Sequence, residues 1–489
     1  MTNVSVDVLV IGGGPGGTPA AMALAQAGKR VLLVEAGEGL GGTCLFEGCI
    51  PSKIFRETAA RLDAIRQADA FGIDLGGVSP AVIWSRVLER KRQILAGRSQ
   101  AALGNAGRLP DLHVVQGHAR LSGPRTAEVT AAGGAVSMVA FGQAILATGS
   151  QPMRPPFPGS DLPGVWVSDQ LLTLDHVPRR LILLGGGPIG VEMAQIYAQL
   201  GSRVVVLEAR AGLLEGMEPD LAQRLQEMLQ ASGIDVRCGV RVQDITQTAE
   251  GLAVRLTDGQ GHTETLTAEY VGLAVGREPR VHGLGLEHTR VQLMPQGVQV
   301  DAQLQTDEPG IYALGDLVGQ PMFAHWATAQ AMALVQHLLA RPTPFPQIAH
   351  NTAVIFSHPE FAIAGLTAEQ ARNAGLDVDT ATYDYTIDAR AQIAAQTGLL
   401  RLVFERTSHR LVGMHALVEG AAELIGEGAL AVRLGVTLEQ LAQTIHPHPT
   451  LTEAVGLLAR QTLMYLQAES KQARLAVVAA SSQAVIDHD

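Results

Sequence analysis

The sequence predicts an α/β fold in which one strand–helix–strand unit occurs twice, and three observations carry that prediction. The chain matches itself at an offset of 173 positions: "GGGPGGTPAAMALAQAGKRVLLVEA" from Gly12 aligns with "GGGPIGVEMAQIYAQLGSRVVVLEA" from Gly185, with Arg30 and Arg203, and Glu35 and Glu208, in register. Each copy follows an apolar run ("VDVLVI", "RLILLG"), continues as an apolar-periodic helix and ends in a β-branched strand. Each also carries a G-x-G-x-x-G element in the turn between first strand and helix, with an acidic residue closing the second strand.

That spacing has a chemical reason. In Gly12, Gly14 and Gly17 the first glycine permits a tight turn, the second lets backbone approach a pyrophosphate, and the third allows close helix–strand packing. The pyrophosphate then sits at the positive end of the helix, and Glu35 is placed to accept from a ribose diol. Gly185, Gly187, Gly190 and Glu208 repeat every element. A glycine-rich structural turn is a fair alternative for one isolated copy; two copies in full context point to two Rossmann-like sites, each for a dinucleotide.

At 489 residues the chain exceeds one ordinary core, and its length suggests about three domains. Hydrophobic residues make up 47% and there are 54 glycines, which describes a packed globular protein rich in tight turns. A net charge of −11 without a basic cluster, and an aromatic content of 4%, argue against nucleic acid and anionic membrane as partners. The opening "MTNVSVDVLVIGGG" lacks a basic n-region and a separate apolar stretch, and no apolar run has membrane-spanning length, so a cytoplasmic location is expected.

Two of the three cysteines, Cys44 and Cys49, fall within "GGTCLFEGCIPSK", directly after the first unit. A disulfide across so short a loop constrains the unfolded chain weakly, so stability is a poor reason for the pair. A zinc site would need further ligands, and Cys238 stands alone; two inert buried thiols are the other alternative. A redox pair suits the cytoplasmic setting better than either. A thiol couple beside the first site calls for a flavin to relay electrons to a nicotinamide, which assigns FAD there. At the second site Glu208 favours a free 2′-hydroxyl and so NAD, although Arg210 lies nearby.

Five motifs in order, "GGGPGG", "GGTCLFEGCIPSK", "GGGPIGVE", "GIYALGDL" and "HPHPTLTEA", make the chain resemble the class I pyridine nucleotide-disulfide oxidoreductases, and among them the dihydrolipoamide dehydrogenases, over about residues 5 to 470. The resemblance implies an α/β fold with two Rossmann-like dinucleotide-binding domains, for FAD and NAD, plus a C-terminal α+β dimerisation domain. It places the FAD domain at 1–155 and 272–348, the NAD domain at 156–271, the dimer interface at 349–470 and a tail at 471–489. It further implies a homodimer that oxidises a lipoyl-carrying protein. A disulfide reductase of the same fold acting on glutathione is the rival.

Residue by residue, the resemblance makes Cys49 the thiol beside the flavin and Cys44 the interchange thiol that meets the substrate. Positions i and i+5 lie about 140° apart on an ideal helix, so bonding them implies a distorted helix start. Lys53 and Glu192 match an ion pair near the flavin, with a surface salt bridge as the alternative. Asp316 matches the ligand of the ribityl chain, and "PMFAHWATAQA" is expected to open a helix towards the flavin, with Trp326 where a lysine is usual. Gly41, Thr43, Thr148, Gly149, Gly276, Gly315, Ala324 and His325 join the cofactor-binding residues. His448 and Glu453 match the catalytic dyad, the carboxylate holding one tautomer of the base, and His446 is a supporting neighbour.

Overall fold

In a computed structural model the described residues are 2–341 and 343–468, so Lys471 and the tail expected at 471–489 lie outside them. The chain forms two compact units: residues up to Glu215 with Gln226–Pro346, and Gly216–Leu225 with the chain from Gln347 onwards.

The first unit is built on two larger sheets, beside smaller antiparallel ones. In the first, Thr2–Ile11 lies between Val31–Glu35 and Val136–Leu146, parallel to both, and Ile311–Ala313 adds a further parallel strand on Val136–Leu146. Leu112–Gly123, Thr126–Ala131 and Val136–Leu146 continue as an antiparallel meander. Val8, Leu9, Val10 and Ile11 are all buried, as a central parallel strand covered on both faces requires. The second sheet is fully parallel, in the order Asp235–Cys238, Arg203–Glu208, Arg180–Leu184, Tyr270–Leu273, Val165–Val167. The repeat holds in register: Val8 pairs with Val31, and Leu181 with Val204, 173 positions on.

The second unit is α+β. Five antiparallel strands run in the order Thr352–Ile355, Phe361–Gly365, Leu411–Leu417, Leu399–Glu405, Val378–Asp384, and Ala421–Leu434 packs on the sheet. Gly216–Leu225 joins this unit although it falls within the stretch 156–271, because Arg401 holds Glu218 at 3.0 Å and Asp220 at 2.5 Å, and Glu218 also accepts from Ala368 N. Glu218 is buried, so leaving it unpaired there would be costly. Among the described residues no helix is long and apolar enough to cross a membrane.

Candidate active site

The two glycine loops are superimposable in their constraints, and the constraints fall into two kinds. A Cβ on Gly12 would lie 2.3 Å from Ala147 O, and on Gly185 2.4 Å from Ala274 O; on Gly17 and Gly190 it would lie 1.8 and 1.9 Å from the carbonyls of Gly12 and Gly185. Those four glycines are required by the protein's own packing. The middle glycines are not: a Cβ on Gly187 would meet nothing within 4 Å, and on Gly14 only Gly42 Cα at 3.8 Å. Their bareness leaves backbone open to a ligand at the start of the helices Gly17–Gln26 and Pro188–Leu200, which fits a dinucleotide at each site.

The acidic partners also brace the loops. Glu35 accepts from Gly13 N and, at 2.6 Å, from Gly37 N; Glu208 accepts from Gly186 N at 2.6 Å and Arg210 N at 2.7 Å. A carboxylate retains further lone pairs for a ribose. The Arg210 guanidinium is held by Glu215, 2.6 Å from Nη1 to Oε1.

The cysteine segment rests on the first loop, with Gly41 N donating to Gly13 O at 2.8 Å and Thr43 one residue before the first thiol. The expected distortion takes the form of a break. Cys44 belongs to the short helix Gly42–Phe46, Glu47 and Gly48 interrupt it, and Cys49 opens a new helix, Cys49–Arg66. The two cysteines are free thiols, Cys44 half-buried and Cys49 exposed. A hydrogen bond from Cys44, reinforced by the Lys53 ammonium, lowers the Cys49 pKa to about 7, while the same bond and burial raise that of Cys44. Lys53 Nζ meets Glu192 Oε2 at 2.8 Å, joining the cysteine helix to the helix that the second glycine loop opens. Glu192 is buried, so this pair differs from an exposed surface bridge. Cys238 lies apart, on the second sheet, its thiol 3.6 Å from Gln226 Oε1.

The remaining cofactor candidates of this unit cluster where its strands end. Gly315 and Asp316 form a 3₁₀ turn after Ile311–Ala313, and Ala324 begins the helix Ala324–Leu338 as expected. Gln330 accepts from Gly315 N at 2.8 Å, and Thr328 Oγ1 donates to Pro15 O at 2.8 Å, so this helix holds both loops. His325 stacks on Phe323 at 5.2 Å. Thr148 Oγ1 donates to Arg280 O at 2.8 Å, Arg280 N to Gly149 O at 2.9 Å, and Gly276 O accepts from Met153 N at 3.0 Å. Sequence reading missed Gln330 and Thr328, and also Ser150, whose hydroxyl donates to Asp316. A side chain that serves a loop from a helix leaves no periodic signal.

In the second unit His448 Nδ1 bonds Glu453 Oε2 at 2.8 Å and Oε1 at 3.1 Å, which commits Nδ1 and leaves Nε2 as the free nitrogen of an exposed ring. His446 is the neighbour with the more covered side chain: its Nε2 meets Glu427 Oε1 at 2.8 Å, and a Cβ on Gly456 would come within 2.9 Å of its Nδ1. The loop bearing His448 is thereby held against the helices of Glu427 and Glu453. Glu360 is buried and accepts from Ala422 N at 2.8 Å in the first turn of Ala421–Leu434.

Comparison with known proteins agrees with this architecture. The pattern for pyridine nucleotide-disulphide oxidoreductases matches residues 6–331, and that for the dimerisation domain of these enzymes matches 352–459. The dihydrolipoyl dehydrogenase of Thermus scotoductus is 35% identical, covering 94% of this chain and 98% of the relative; that of Bacillus subtilis is also 35% identical, covering 92% and 97%. Among solved structures, LpdA of Mycobacterium tuberculosis superposes with a TM-score of 0.85 at 26% identity, covering 94% of this chain and 100% of that one. The HOCl-induced flavoprotein disulfide reductase RclA of Escherichia coli, solved as a Cu(II) complex, gives 0.82 at 26%, covering 94% and 99%. Agreement over nearly the whole length, in sequence as in fold, makes the assignment plain: the chain belongs to the pyridine nucleotide-disulphide oxidoreductase family.

Proposed function

We propose that the protein oxidises protein-bound dihydrolipoamide to lipoamide and reduces NAD⁺, using FAD and a Cys44–Cys49 disulfide. The observation that carries this reading is the placement of the Cys44–Cys49 thiol pair on the first glycine loop, where Gly41 N donates to Gly13 O, in a chain whose relatives over nearly the whole length include dihydrolipoyl dehydrogenases. The FAD domain is 1–155 with 272–348, the NAD domain 156–271, and the dimer-interface domain 349–470. Gly12, Gly14, Gly17, Glu35, Gly41, Thr43, Thr148, Gly149, Gly315, Asp316, Ala324 and His325 hold FAD, and Gly185, Gly187, Gly190, Glu208 and Gly276 hold NAD.

One substrate thiol, losing its proton to His448 Nε2, attacks Cys44 Sγ. The Cys44–Cys49 bond breaks, a mixed disulfide forms on Cys44, and Cys49 leaves as a thiolate. A leaving thiol departs faster the lower its pKa, so the depressed Cys49 suits this step. The second substrate thiol then attacks the substrate sulfur of the mixed disulfide, releasing lipoamide and Cys44, and the two electrons rest on the dithiol. FAD, when bound, supplies the carrier that passes this pair to NAD⁺ as hydride and so restores the disulfide. Glu453 keeps the His448 proton on Nδ1 while the base is neutral. The dimerisation domain makes the protein a homodimer, and the dyad of one subunit serves the disulfide of its partner in the cytoplasm.

The test is a panel: NAD⁺ and NADP⁺ reduction with dihydrolipoamide, beside NADPH oxidation with glutathione disulfide. Robust turnover only in the last assay would overturn the reading. Within the first assay, kcat/KM for NAD⁺ is expected to exceed that for NADP⁺ by at least about tenfold, a difference of about 1.4 kcal/mol. Because Glu215 holds the Arg210 guanidinium, Glu215→Gln should free it for a 2′-phosphate and narrow that ratio by about threefold or more. An unchanged ratio means that Arg210 does not face the ribose.

A further inference from the structure

The chain crosses between the two larger sheets of the first unit along an antiparallel ribbon, Ser150–Pro152 with Arg277–Pro279, in which Arg277 pairs with Pro152 and Pro279 with Ser150. Arg277 is largely buried on this ribbon, and all three of its nitrogens are used. Nε donates to Ser150 Oγ at 2.8 Å, Nη2 to Ser150 O at 3.0 Å, and Nη1 to Asp169 Oδ1 at 3.2 Å. Ser150 is 1% exposed, and its Oγ donates to Asp316 Oδ2 at 2.6 Å.

The direction of these bonds is fixed. A guanidinium has donors only and stays protonated, so at Ser150 Oγ the Arg277 N–H takes a lone pair. The single hydroxyl proton must then go elsewhere, and the acceptor within reach is the Asp316 carboxylate. Were Arg277 absent, the hydroxyl could rotate and its proton would be uncommitted.

We propose that Ser150 and Arg277 are positioning residues for FAD: they hold Asp316 by Oδ2 so that Oδ1 is left to accept from the ribityl chain. Asp169 anchors the far side of Arg277 from the short helix Ser168–Leu171, beside the second sheet. The FAD ligand is thus tied to the strand by which the chain returns from the NAD half, next to Gly276. This inference rests on the reading of Asp316 as a ribityl ligand.

The test is FAD retention by the holoenzyme, read as the dissociation constant from the fluorescence of released flavin after dilution. Ser150→Ala should weaken retention about tenfold. Arg277→Lys should lie between it and wild type, since one ammonium cannot serve both Ser150 and Asp169. Asp316→Asn should lose at least as much as Ser150→Ala, and the double variant should bind FAD no more weakly than Asp316→Asn alone, because the serine acts through the carboxylate. A merely structural serine would instead give losses that multiply in the double variant, and that result overturns the proposal, as does wild-type retention by Ser150→Ala. Wild-type retention by Asp316→Asn overturns the ribityl reading itself and the proposal with it.

Discussion

Cys44→Ser is expected to abolish dihydrolipoamide-dependent reduction of NAD⁺, by more than about a thousandfold, since covalent exchange then has no sulfur to attack. FAD should remain bound, and the oxidised variant should show a long-wavelength absorbance band from the unpaired Cys49 thiolate beside the flavin. Cys49→Ser should lose activity without gaining the band; the opposite pattern would exchange the two assignments. The band also carries a pH test. The first cause of the depressed Cys49 pKa, about 7, is the hydrogen bond from Cys44. A serine hydroxyl can donate in its place, whereas Cys44→Ala cannot. The thiolate is the form present above the pKa, so the band should fade as pH falls through it, and fade from a higher pH in Cys44→Ala. Equal midpoints in the two variants would mean that the lowering comes from Lys53.

His448→Ala should lower kcat by about 10² to 10⁴, the usual range for losing a positioned base. Glu453→Gln should lose less, because the imidazole remains but its tautomer is no longer held. The dyad's location in the dimerisation domain adds a sharper test. Inactive Cys44→Ser mixed with inactive His448→Ala, with subunit exchange confirmed by mass, should recover towards one wild-type site per heterodimer. Heterodimers that stay inactive would mean that the histidine serves its own chain.

The parts of this fold legible in the sequence are those dictated by local sterics. Gly12, Gly17, Gly185 and Gly190 could be read because a Cβ at each would strike a backbone carbonyl, and the strands because their apolar runs match a sheet covered on both faces. The cysteine geometry was half legible: a spacing of five implied distortion, but the break at Glu47 and Gly48 depends on Gly48 torsions of φ −142° and ψ −98°. Long-range polar pairings left no trace. Glu218 with Arg401 and Ser150 with Asp316 bring together residues far apart in the chain, and neither periodicity nor composition records which charge meets which. Arg277 could have been singled out, since it directly follows Gly276, yet its partners could not.

The strand Ile311–Ala313 has a consequence for synthesis. It pairs with Ala144, Ile145 and Leu146, which leave the ribosome long before it does. At roughly 5 to 20 residues per second, the intervening stretch keeps that sheet edge without its partner for roughly ten to thirty seconds. Throughout that interval the nascent first half carries an open, apolar strand edge, the kind that recruits other chains. The inserted stretch that carries the second sheet, whose two ends meet on one ribbon, can close on itself meanwhile. The inserted stretch is complete before Ile311–Ala313 is made, so it can be finished before the sheet that hosts it is closed.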